Sequence, residues 1–444
     1  MKRSIVDVML NSMRYKCVFS QEQKQRFQEK QLQRLVSRVR AESPALKKLY
    51  ADLPEHFTLQ DLPVTNKQMI MEHYDEWVTD RRIKKADLKE FLSDRRNIGK
   101  PYLGKYLIVT TSGSSGIPLY FVLNKKSINV STCSALLSHA LSEKPVALMY
   151  PMKQFLIPTS MIMENMRRFP RIMERNYILI DAMMPREQLV QTLNRMQPRA
   201  LYSYPTMMEL LTDEAVRGNL NISIREVVCA SEKLTEKTRQ YIENTFNCRA
   251  KSIYGCTEGG NIAYECPCHH LHLNNPYVIL EPVDEHNRPV PPGQHAHKLL
   301  LTNLANDVVP IIRYELMDSA VLHTEGCACG DSSPWLEIEG RTAGGKLEFR
   351  NGVQIAPVVL YFLIETMDTL RRFQIVLHPE DRLEFRAVFM PDVDQEATFA
   401  EVQRRILGFL EENGVSGVEI YLSDQAPTID PVTFKFRSVY QEKT

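Results

Sequence analysis

Residues Val109 to Pro118 read VTTSGSSGIP, which places five hydroxyl side chains and two glycines in one turn after the β-rich run LIVT. Glycine leaves backbone amides accessible and short hydroxyls add donors, so such a turn forms a concave set of donors suited to a polyphosphate. No Lys-Ser or Lys-Thr follows the last glycine, which distinguishes the turn from a Walker loop. Taken alone, a turn of this composition is usually only a surface turn, so its interpretation depends on the rest of the chain.

Short apolar runs alternate with helical stretches after this turn. The runs begin near Pro145, Asn176, Arg199 and Ile224. Between them lie stretches such as REQLVQTLNRM, in which apolar residues recur three and four apart. Strands separated by helices of this length predict crossover units and a largely parallel sheet. The predicted fold class is therefore α/β.

Other segments show different residue patterns. An amphipathic helical pattern covers Gln21 to Leu53, and β-rich sequence covers Pro276 to Arg313. After Arg341 the chain alternates short strands with helices over about a hundred residues, which predicts a separate small α+β domain.

Composition excludes several classes of protein. Among 444 residues, 55 Lys and Arg balance 54 Asp and Glu, which argues against a nucleic-acid-binding surface. The 43% hydrophobic and 25% charged residues exclude a disordered or fibrous chain. No apolar stretch approaches the roughly 20 residues of a membrane helix, and no export signal is apparent. Nine cysteines are too few for a disulfide scaffold, so we expect a cytoplasmic protein with reduced thiols and no membrane partner.

Further motifs follow the hydroxyl-rich turn in a fixed order. They are YGCTE at Tyr254–Glu258, PIIRY at Pro310–Tyr314 leading to Asp318, Gly340-Arg341, and Lys435 near the C-terminus. Together with the turn, they resemble the adenylate-forming superfamily and, within it, the phenylacetate-coenzyme A ligase-like branch.

The resemblance implies a two-domain organisation. A large N-terminal domain with mixed sheets and helices, residues 1–340, would bind ATP and the acid, and a small mobile α+β lid, residues 347–444, would follow a hinge at 341–346. Within the large domain we expect a helical leader at 1–65 and a zinc-braced β segment at 264–330.

The resemblance also assigns an ATP site. The phosphates would contact Thr111, Ser112, Gly113, Ser114, Ser115 and Gly116. Ser231 and Glu232 would border the nucleotide, and Tyr254 and Gly255 would lie beside the adenine. Asp318 would bind both ribose hydroxyls, with Arg341 next to the ribose.

Three residues are the predicted catalytic groups. By resemblance, Thr257 lies near the α-phosphate, Glu258 binds magnesium, and Lys435 bridges the carboxylate and the α-phosphate. A carboxylate is a poor electrophile, so crowded anionic oxygens must be held by a cation, amides and a lysine while pyrophosphate leaves. The chain departs from the family pattern at Phe434, where a glycine is usual, and at Thr342–Lys346, which replaces the usual acidic hinge pair.

Two cysteine-rich turns predict a metal site. Cys266 to His272 supplies five soft or borderline ligands in seven residues, and Cys327-Ala328-Cys329-Gly330 supplies two more. Four thiolate or imidazole ligands from two turns make a structural zinc site, and some members of the resembled branch carry such a zinc. We predict Cys266, His272, Cys327 and Cys329 as ligands. Cys268, His269 and His270 remain alternatives, as do cysteines that bind no metal.

The resemblance also implies a carboxylate pocket, formed here by Tyr204, Ala230, Tyr254 and Gly255. Tyrosines can stack on an aryl acid, although aromatic residues before a proline are often plain packing. The predicted function is an ATP- and Mg²⁺-dependent, AMP-forming acid-thiol ligase with coenzyme A as co-substrate. An amine or carrier-protein acceptor is the alternative, and a non-catalytic nucleotide-binding module is the rival class. The family also allows a homodimer.

Overall fold

The computed structural model describes residues 5–110, 119–138, 145–152, 155–182, 184–273, 275–341, 347–355, 357–429 and 436–442. These residues form two compact units. The first contains the described residues up to Leu316 together with Ala320–Ile338, and the second contains Met317–Ser319 and the described residues from Glu339 onward.

Twelve α-helices are described in the first unit. They are α1 (Ile5–Cys17), α2 (Gln21–Glu42), α3 (Pro44–Leu49), α4 (Lys67–Glu72), α5 (Tyr74–Trp77), α6 (Lys85–Ser93), α7 (Lys125–Ser138), α8 (Ile157–Arg168), α9 (Pro170–Asn176), α10 (Arg186–Met196), α11 (Pro205–Val216) and α12 (Glu236–Phe246). Leu59–Asp61 and Arg95–Asn97 are short 3₁₀ helices. Across the described parts of both units, no helix has the length and apolar character needed to cross a bilayer.

The helical pattern from Gln21 is divided at Ser43. Helix α2 begins at a capping box in which Ser20 and Gln23 exchange backbone and side-chain hydrogen bonds. Pro44 has no N–H group and occupies the first turn of α3, where the Ser43 hydroxyl accepts a hydrogen bond from the Leu46 amide. The segment predicted as one continuous helical pattern therefore forms two helices, α2 and α3.

The first unit also contains strands β1 to β15. They are β1 (Leu107–Thr110), β2 (Tyr120–Leu123), β3 (Val146–Tyr150), β4 (Tyr177–Asp181), β5 (Ala200–Ser203), β6 (Glu226–Ala230), β7 (Arg249–Cys256), β8 (Gly260–Glu265), β9 (Leu271–Leu273), β10 (Val278–Val283), β11 (His295–Ala296), β12 (Lys298–Asn303), β13 (Tyr314–Leu316), β14 (Asp318–His323) and β15 (Trp335–Arg341), the last two extending into the second unit. Strands β1 and β2 pair antiparallel, and β10, β12 and β13 form a three-stranded sheet. The β-rich run LIVT before the hydroxyl-rich turn is thus strand β1, and it pairs with β2.

The largest sheet has ten strands in the order β11-β14-β15-β9-β8-β7-β6-β5-β3-β4. Strands β3 to β7 pair in parallel, and β7 to β9 continue antiparallel. One face packs on α10, α11 and α12 through a core that includes Met149, Leu201, Val227, Leu211 and Ile242. The crossover pattern predicted from the sequence is confirmed for these parallel strands.

The second unit has its own core. Its elements after β15 are β16 (Leu347–Glu348), β17 (Gln354–Ile355), α13 (Pro357–Glu365), β18 (Leu370–His378), a 3₁₀ turn (Pro379–Asp381), β19 (Arg382–Phe389), α14 (Gln395–Glu412), β20 (Glu419–Leu422) and β21 (Val439–Gln441). The sheet order is β20-β19-β18-β21. Apolar residues of α13 and α14, among them Leu360, Val402 and Ile406, pack on this sheet.

Candidate active site and cysteine cluster

The candidate nucleotide residues of the first unit follow the ends of parallel strands. Strands β5, β6 and β7 end at Ser203, Ala230 and Cys256. Carboxyl ends of neighbouring parallel strands meet at one edge of a sheet, which is where open α/β folds bind ligands. The structure therefore brings Tyr204, Ser231 and the segment after Cys256 to the same edge.

The YGCTE segment needs glycine at position 255. A β-bulge lies between Tyr254 and Gly255, where β7 pairs with β8. A Cβ atom added at Gly255 would lie 2.5 Å from the carbonyl oxygen of Gly260, so any other residue would displace backbone. The bulge turns the chain sharply into the tight connection that carries Thr257 and Glu258.

Glu258 is a buried residue, 7% exposed. Its Oε1 accepts a hydrogen bond of 3.2 Å from the Tyr314 hydroxyl. Its backbone carbonyl accepts one of 2.6 Å from Nδ2 of Asn303. A carboxylate oxygen held in this way has the hard-donor chemistry that Mg²⁺ prefers. No pattern in the sequence marks Tyr314 or Asn303 as supporting residues, although Tyr314 lies in the PIIRY motif.

Glu232 contacts the start of a helix. Its carboxylate accepts hydrogen bonds of 3.2 Å from both the amide and the hydroxyl of Thr206, in the first turn of α11. A negative charge is favourable at a helix N-terminus. The neighbouring Ser231 is exposed and has a left-handed φ of 71°. These contacts fasten the segment after β6 to α11.

Three tyrosines, Tyr150, Tyr202 and Tyr204, form a cluster, and Tyr202 also packs against the apolar group that contains the predicted acid-pocket residue Ala230. The Tyr150 ring lies 5.9 Å from that of Tyr202 and 5.4 Å from that of Tyr204, centroid to centroid. Burial raises the pKa of all three phenols well above the ordinary value. The cluster is therefore uncharged at neutral pH, and Tyr202 is its one partly exposed ring, since Tyr150 and Tyr204 are buried.

The predicted ribose residues belong to the second unit. Asp318 is buried at the start of β14, and Arg341 ends the neighbouring strand β15. Arg313, from the same motif, has a structural role in the first unit: its guanidinium contacts Glu281 and the carbonyl oxygens of Gln60 and Leu62.

Several predicted residues lie outside the described residues. They are Thr111 to Gly116 of the hydroxyl-rich turn, Thr342 to Lys346 of the predicted hinge, and Lys435.

The two cysteine-rich turns meet in the first unit. Ligand atoms of Cys266, His272, Cys327 and Cys329 all lie within 4.8 Å of one another. The Sγ atoms of Cys266 and Cys327 are 3.7 Å apart, and Sγ of Cys329 lies 3.5 Å from Nε2 of His272. These sulfur atoms are too far apart for a disulfide, whose S–S bond is about 2.05 Å.

Surrounding groups orient the four side chains. Nδ1 of His272 donates to the carbonyl oxygen of Ser333 at 2.8 Å, so Nε2 is the ring nitrogen that faces the cluster. Backbone amides of Cys268, Cys329 and Asp331 lie 3.3 to 3.5 Å from the three sulfur atoms. Among the alternatives, His269 contacts Glu265 instead, and Nδ1 of His270 lies 3.3 Å from Sγ of Cys327.

Comparison with known proteins identifies the family. Residues 6–296, more than half of the chain, match the model of the AMP-binding enzyme family. The chain belongs to this family. The predicted adenylate-forming superfamily and α/β fold class are thereby confirmed, and the matched family is a family of enzymes.

The individual curated relatives share low sequence identity with this chain. The phenylacetate-coenzyme A ligase of Thermus thermophilus is 25% identical over 231 residues, which span 50% of this chain and 51% of that protein. Protein CapK of Staphylococcus aureus is 25% identical over 138 residues, 31% of this chain and 29% of its own. The chain thus spans about half the length, or less, of these curated relatives.

A solved structure extends the fold similarity to both units. The 2-hydroxyisobutyryl-CoA ligase, in the postadenylation state with 2-HIB-AMP, superposes with a TM-score of 0.72 at 17% identity. The match covers 97% of this chain and 92% of that one. At this identity the similarity describes the fold.

Proposed function

We propose that this protein is an ATP-dependent, AMP-forming ligase that activates a carboxylic acid as an acyl-adenylate and transfers the acyl group to coenzyme A. The observation that carries the proposal is the buried Glu258 carboxylate, held by Tyr314 beside Thr257 at the carboxyl edge of the parallel strands. Membership of the AMP-binding enzyme family supports it.

The reaction has two balanced steps. An oxygen of the acid attacks the α-phosphorus of ATP, forming the acyl-adenylate while pyrophosphate leaves. The sulfur of coenzyme A then attacks the acyl carbonyl, forming a thioester while AMP leaves and the thiol proton passes to solvent. Glu258 would hold Mg²⁺, which neutralises phosphate charge when bound. The hydroxyl-rich turn and Thr257 would orient phosphates, Asp318 and Arg341 the ribose, and Lys435 the acid carboxylate.

An aryl or otherwise apolar acid fits the chemistry of the proposed pocket best. The uncharged cluster of Tyr150, Tyr202 and Tyr204 makes the surroundings aromatic, and the partly exposed Tyr202 is the ring that an aromatic substituent could contact. Ala230, at the end of β6, leaves more space at this edge than a larger side chain would.

A structural zinc ion is part of the proposal. A tetrahedron with Zn–S bonds of about 2.3 Å and Zn–N bonds of about 2.0 Å has edges of roughly 3.8 Å between sulfurs and 3.5 Å between sulfur and nitrogen. The distances of 3.7 Å and 3.5 Å in the cluster match these edges. Four protein ligands leave no open position, so the zinc would stabilise the β8–β9 turn and take no part in chemistry.

Pyrophosphate release tests the activity. The protein would be incubated with ATP and Mg²⁺ across a panel of aryl, aliphatic and amino acids, with and without coenzyme A. We expect release with an aryl acid and a coenzyme A thioester as product. Release without thioester formation would point to an amine or carrier-protein acceptor. No release, with ATP binding intact, would favour a non-catalytic nucleotide-binding module.

A further inference from the structure

A buried lysine connects helix α2 with the segment that follows the second cysteine-rich turn. Lys24 lies in the first turns of α2 and is 4% exposed. Its Nζ donates a hydrogen bond of 3.0 Å to the hydroxyl of Ser333, a residue 309 positions further along the chain. Gln21, at the start of α2, donates a hydrogen bond of 2.5 Å to the carbonyl oxygen of Ser332. The start of α2 is therefore fastened to the residues that follow Cys329.

Ser333 joins Lys24 to the proposed zinc ligand His272. The serine is itself buried, and its carbonyl oxygen accepts the 2.8 Å hydrogen bond from Nδ1 of His272. Its amide donates to Oδ1 of Asp331 at 2.9 Å, and the amide of Asp331 lies 3.4 Å from Sγ of Cys329. The same short segment thus contacts two proposed ligands and α2. We refer to Lys24, Asp331 and Ser333 as the α2 clamp.

The positive charge of Lys24 is buried with little direct compensation. Its ammonium forms no salt bridge with a carboxylate in the part of the chain that the structure describes. Its neighbours are the Ser333 hydroxyl and the ring of Tyr15 in α1, whose centroid lies 5.5 Å from Nζ. Burial lowers the pKa of Lys24, while the charges of Asp331 and Cys17 act in the opposite direction. A buried ammonium is unfavourable unless opposite charge lies nearby.

A zinc ion at the cysteine cluster would provide such a charge. Thiols that bind zinc are deprotonated, so three thiolates and one neutral imidazole give a Zn²⁺ centre a net charge of about −1. In the series of hydrogen bonds, a single residue, Ser333, separates the ammonium of Lys24 from His272. Charges in the protein interior are screened less than charges in water, so the two centres attract each other.

We propose that Lys24 is a positioning residue for the zinc site, and that zinc binding and the docking of α1 and α2 stabilise each other. Lys24 holds the side chain of Ser333, and the carbonyl oxygen of Ser333 directs the His272 ring towards the cysteines. In return, the negative zinc centre stabilises the buried ammonium, which anchors α2 and contacts Tyr15 of α1. Such a coupling acts equally in both directions. The inference rests on the proposed zinc site and not on the ligase activity.

Zinc affinity, measured on the full chain by competition with a chelator, tests the first half of the proposal. K24M removes the ammonium but keeps an unbranched side chain that favours a helix. We expect the zinc dissociation constant of K24M to rise about tenfold. K30M, the same change at an exposed position of α2, is the matched control and should bind zinc as the wild type does.

Two results would contradict this expectation, and they are distinguishable. Equal zinc affinity in K24M and the wild type would overturn the role of Lys24 and leave the zinc site intact. A folded wild-type protein that binds no zinc would overturn the site, and the inference with it.

Cobalt substitution reports on the orientation of His272 without any turnover. The visible absorption bands of bound Co²⁺ depend on the geometry of its ligands. We expect these bands to shift in K24M and also in S333A, which removes the hydroxyl that Lys24 contacts but keeps the carbonyl oxygen that His272 contacts. The spectrum of K30M should match that of the wild type. Unchanged spectra in both K24M and S333A would show that the α2 clamp does not position the metal ligand.

Hydrogen exchange of the wild type, with zinc and after its removal by a chelator, tests the reverse effect. We expect removal of zinc to speed the exchange of amides in α1 and α2 several-fold, and to leave α10 and α14 unchanged. In K24M the same treatment should add little, because the coupling is already broken. No change in α1 and α2, or an equal rise in all four helices, would overturn the proposed coupling.

Discussion

The Tyr314 hydroxyl donates a hydrogen bond of 3.2 Å to Oε1 of Glu258, and both side chains are buried. This bond fixes one oxygen of the carboxylate that would hold Mg²⁺, and groups that orient a metal ligand commonly affect metal affinity 10- to 100-fold. We expect Y314F to raise the Mg²⁺ concentration that gives half-maximal pyrophosphate release by about tenfold. Titration with Mn²⁺, followed by electron paramagnetic resonance, should show the same loss of affinity without turnover.

A second buried tyrosine provides the control for Y314F. Tyr74 donates a hydrogen bond of 2.7 Å to the carbonyl oxygen of Tyr120, so Y74F also removes one hydroxyl from the first unit. We expect Y74F to lower stability but to leave the dependence on Mg²⁺ unchanged. Equal metal affinity in Y314F and the wild type would rule out an orienting role for Tyr314.

The sequence predicted local structure well and long-range contacts poorly. Parallel strands such as β5 and β6 were visible because each is a short apolar run followed by a helical pattern. The contact between Tyr314 and Glu258 joins residues 56 positions apart, and the contact between Glu232 and Thr206 depends on how β5 and β6 align. Neither contact leaves a periodic signal in the sequence, so both required the three-dimensional structure.

The cysteine-rich turns likewise combine a local pattern that the sequence shows with contacts that only the structure shows. Their spacing predicted a tetrahedral set that includes His272, but it left Cys268, His269 and His270 as alternatives. Strand pairing separates them: His272 lies in β9 opposite Trp335, and its Nδ1 is engaged by Ser333, so Nε2 faces Cys329. The His270 ring stacks on Trp335, with ring centroids 3.8 Å apart, and its Nδ1 lies 3.3 Å from Sγ of Cys327.

Metal analysis of two histidine variants checks the zinc proposal. The purified protein should contain about one zinc per chain, and H272A should lose it together with several degrees of thermal stability, because metal binding contributes to folding. The H270A variant removes a neighbouring imidazole from the same turn and should keep the zinc. Loss of zinc from H270A and not from H272A would show that the ligand set is wrong, and folded wild-type protein without metal would contradict the site altogether.

Acid should destabilise the second unit through Glu384. Burial alone would raise the pKa of this carboxyl, but hydrogen bonds from Arg386, Ser423 and His378 outweigh burial and lower the pKa to about 2. A folded-state pKa below the unfolded value of about 4.5 means that the carboxylate stabilises the fold above pH 4.5 and that this contribution disappears as the pH falls towards 2.

The variant E384Q should flatten this dependence. Because the amide does not titrate, the melting temperature of the E384Q variant should fall less than that of the wild type when the pH drops from about 6 to about 3. The change E412Q, at an exposed position near the end of α14, is the matched control and should follow the wild type. Parallel melting curves for E384Q and the wild type across this range would show that Glu384 does not carry the acid sensitivity.

Replacement of Lys435 separates the two proposed half-reactions. An ammonium group between the acid carboxylate and the α-phosphate stabilises charge that develops only while pyrophosphate is displaced. We therefore expect K435A to reduce acid-dependent pyrophosphate release by at least a hundredfold, while ATP binding and thioester formation from a preformed acyl-adenylate are retained. K89A removes an exposed lysine from α6 and should leave both steps intact. If K435A released pyrophosphate at the wild-type rate, the bridging role would belong to another cation. If it lost both half-reactions equally, Lys435 would act by maintaining the second unit and not at the adenylation step.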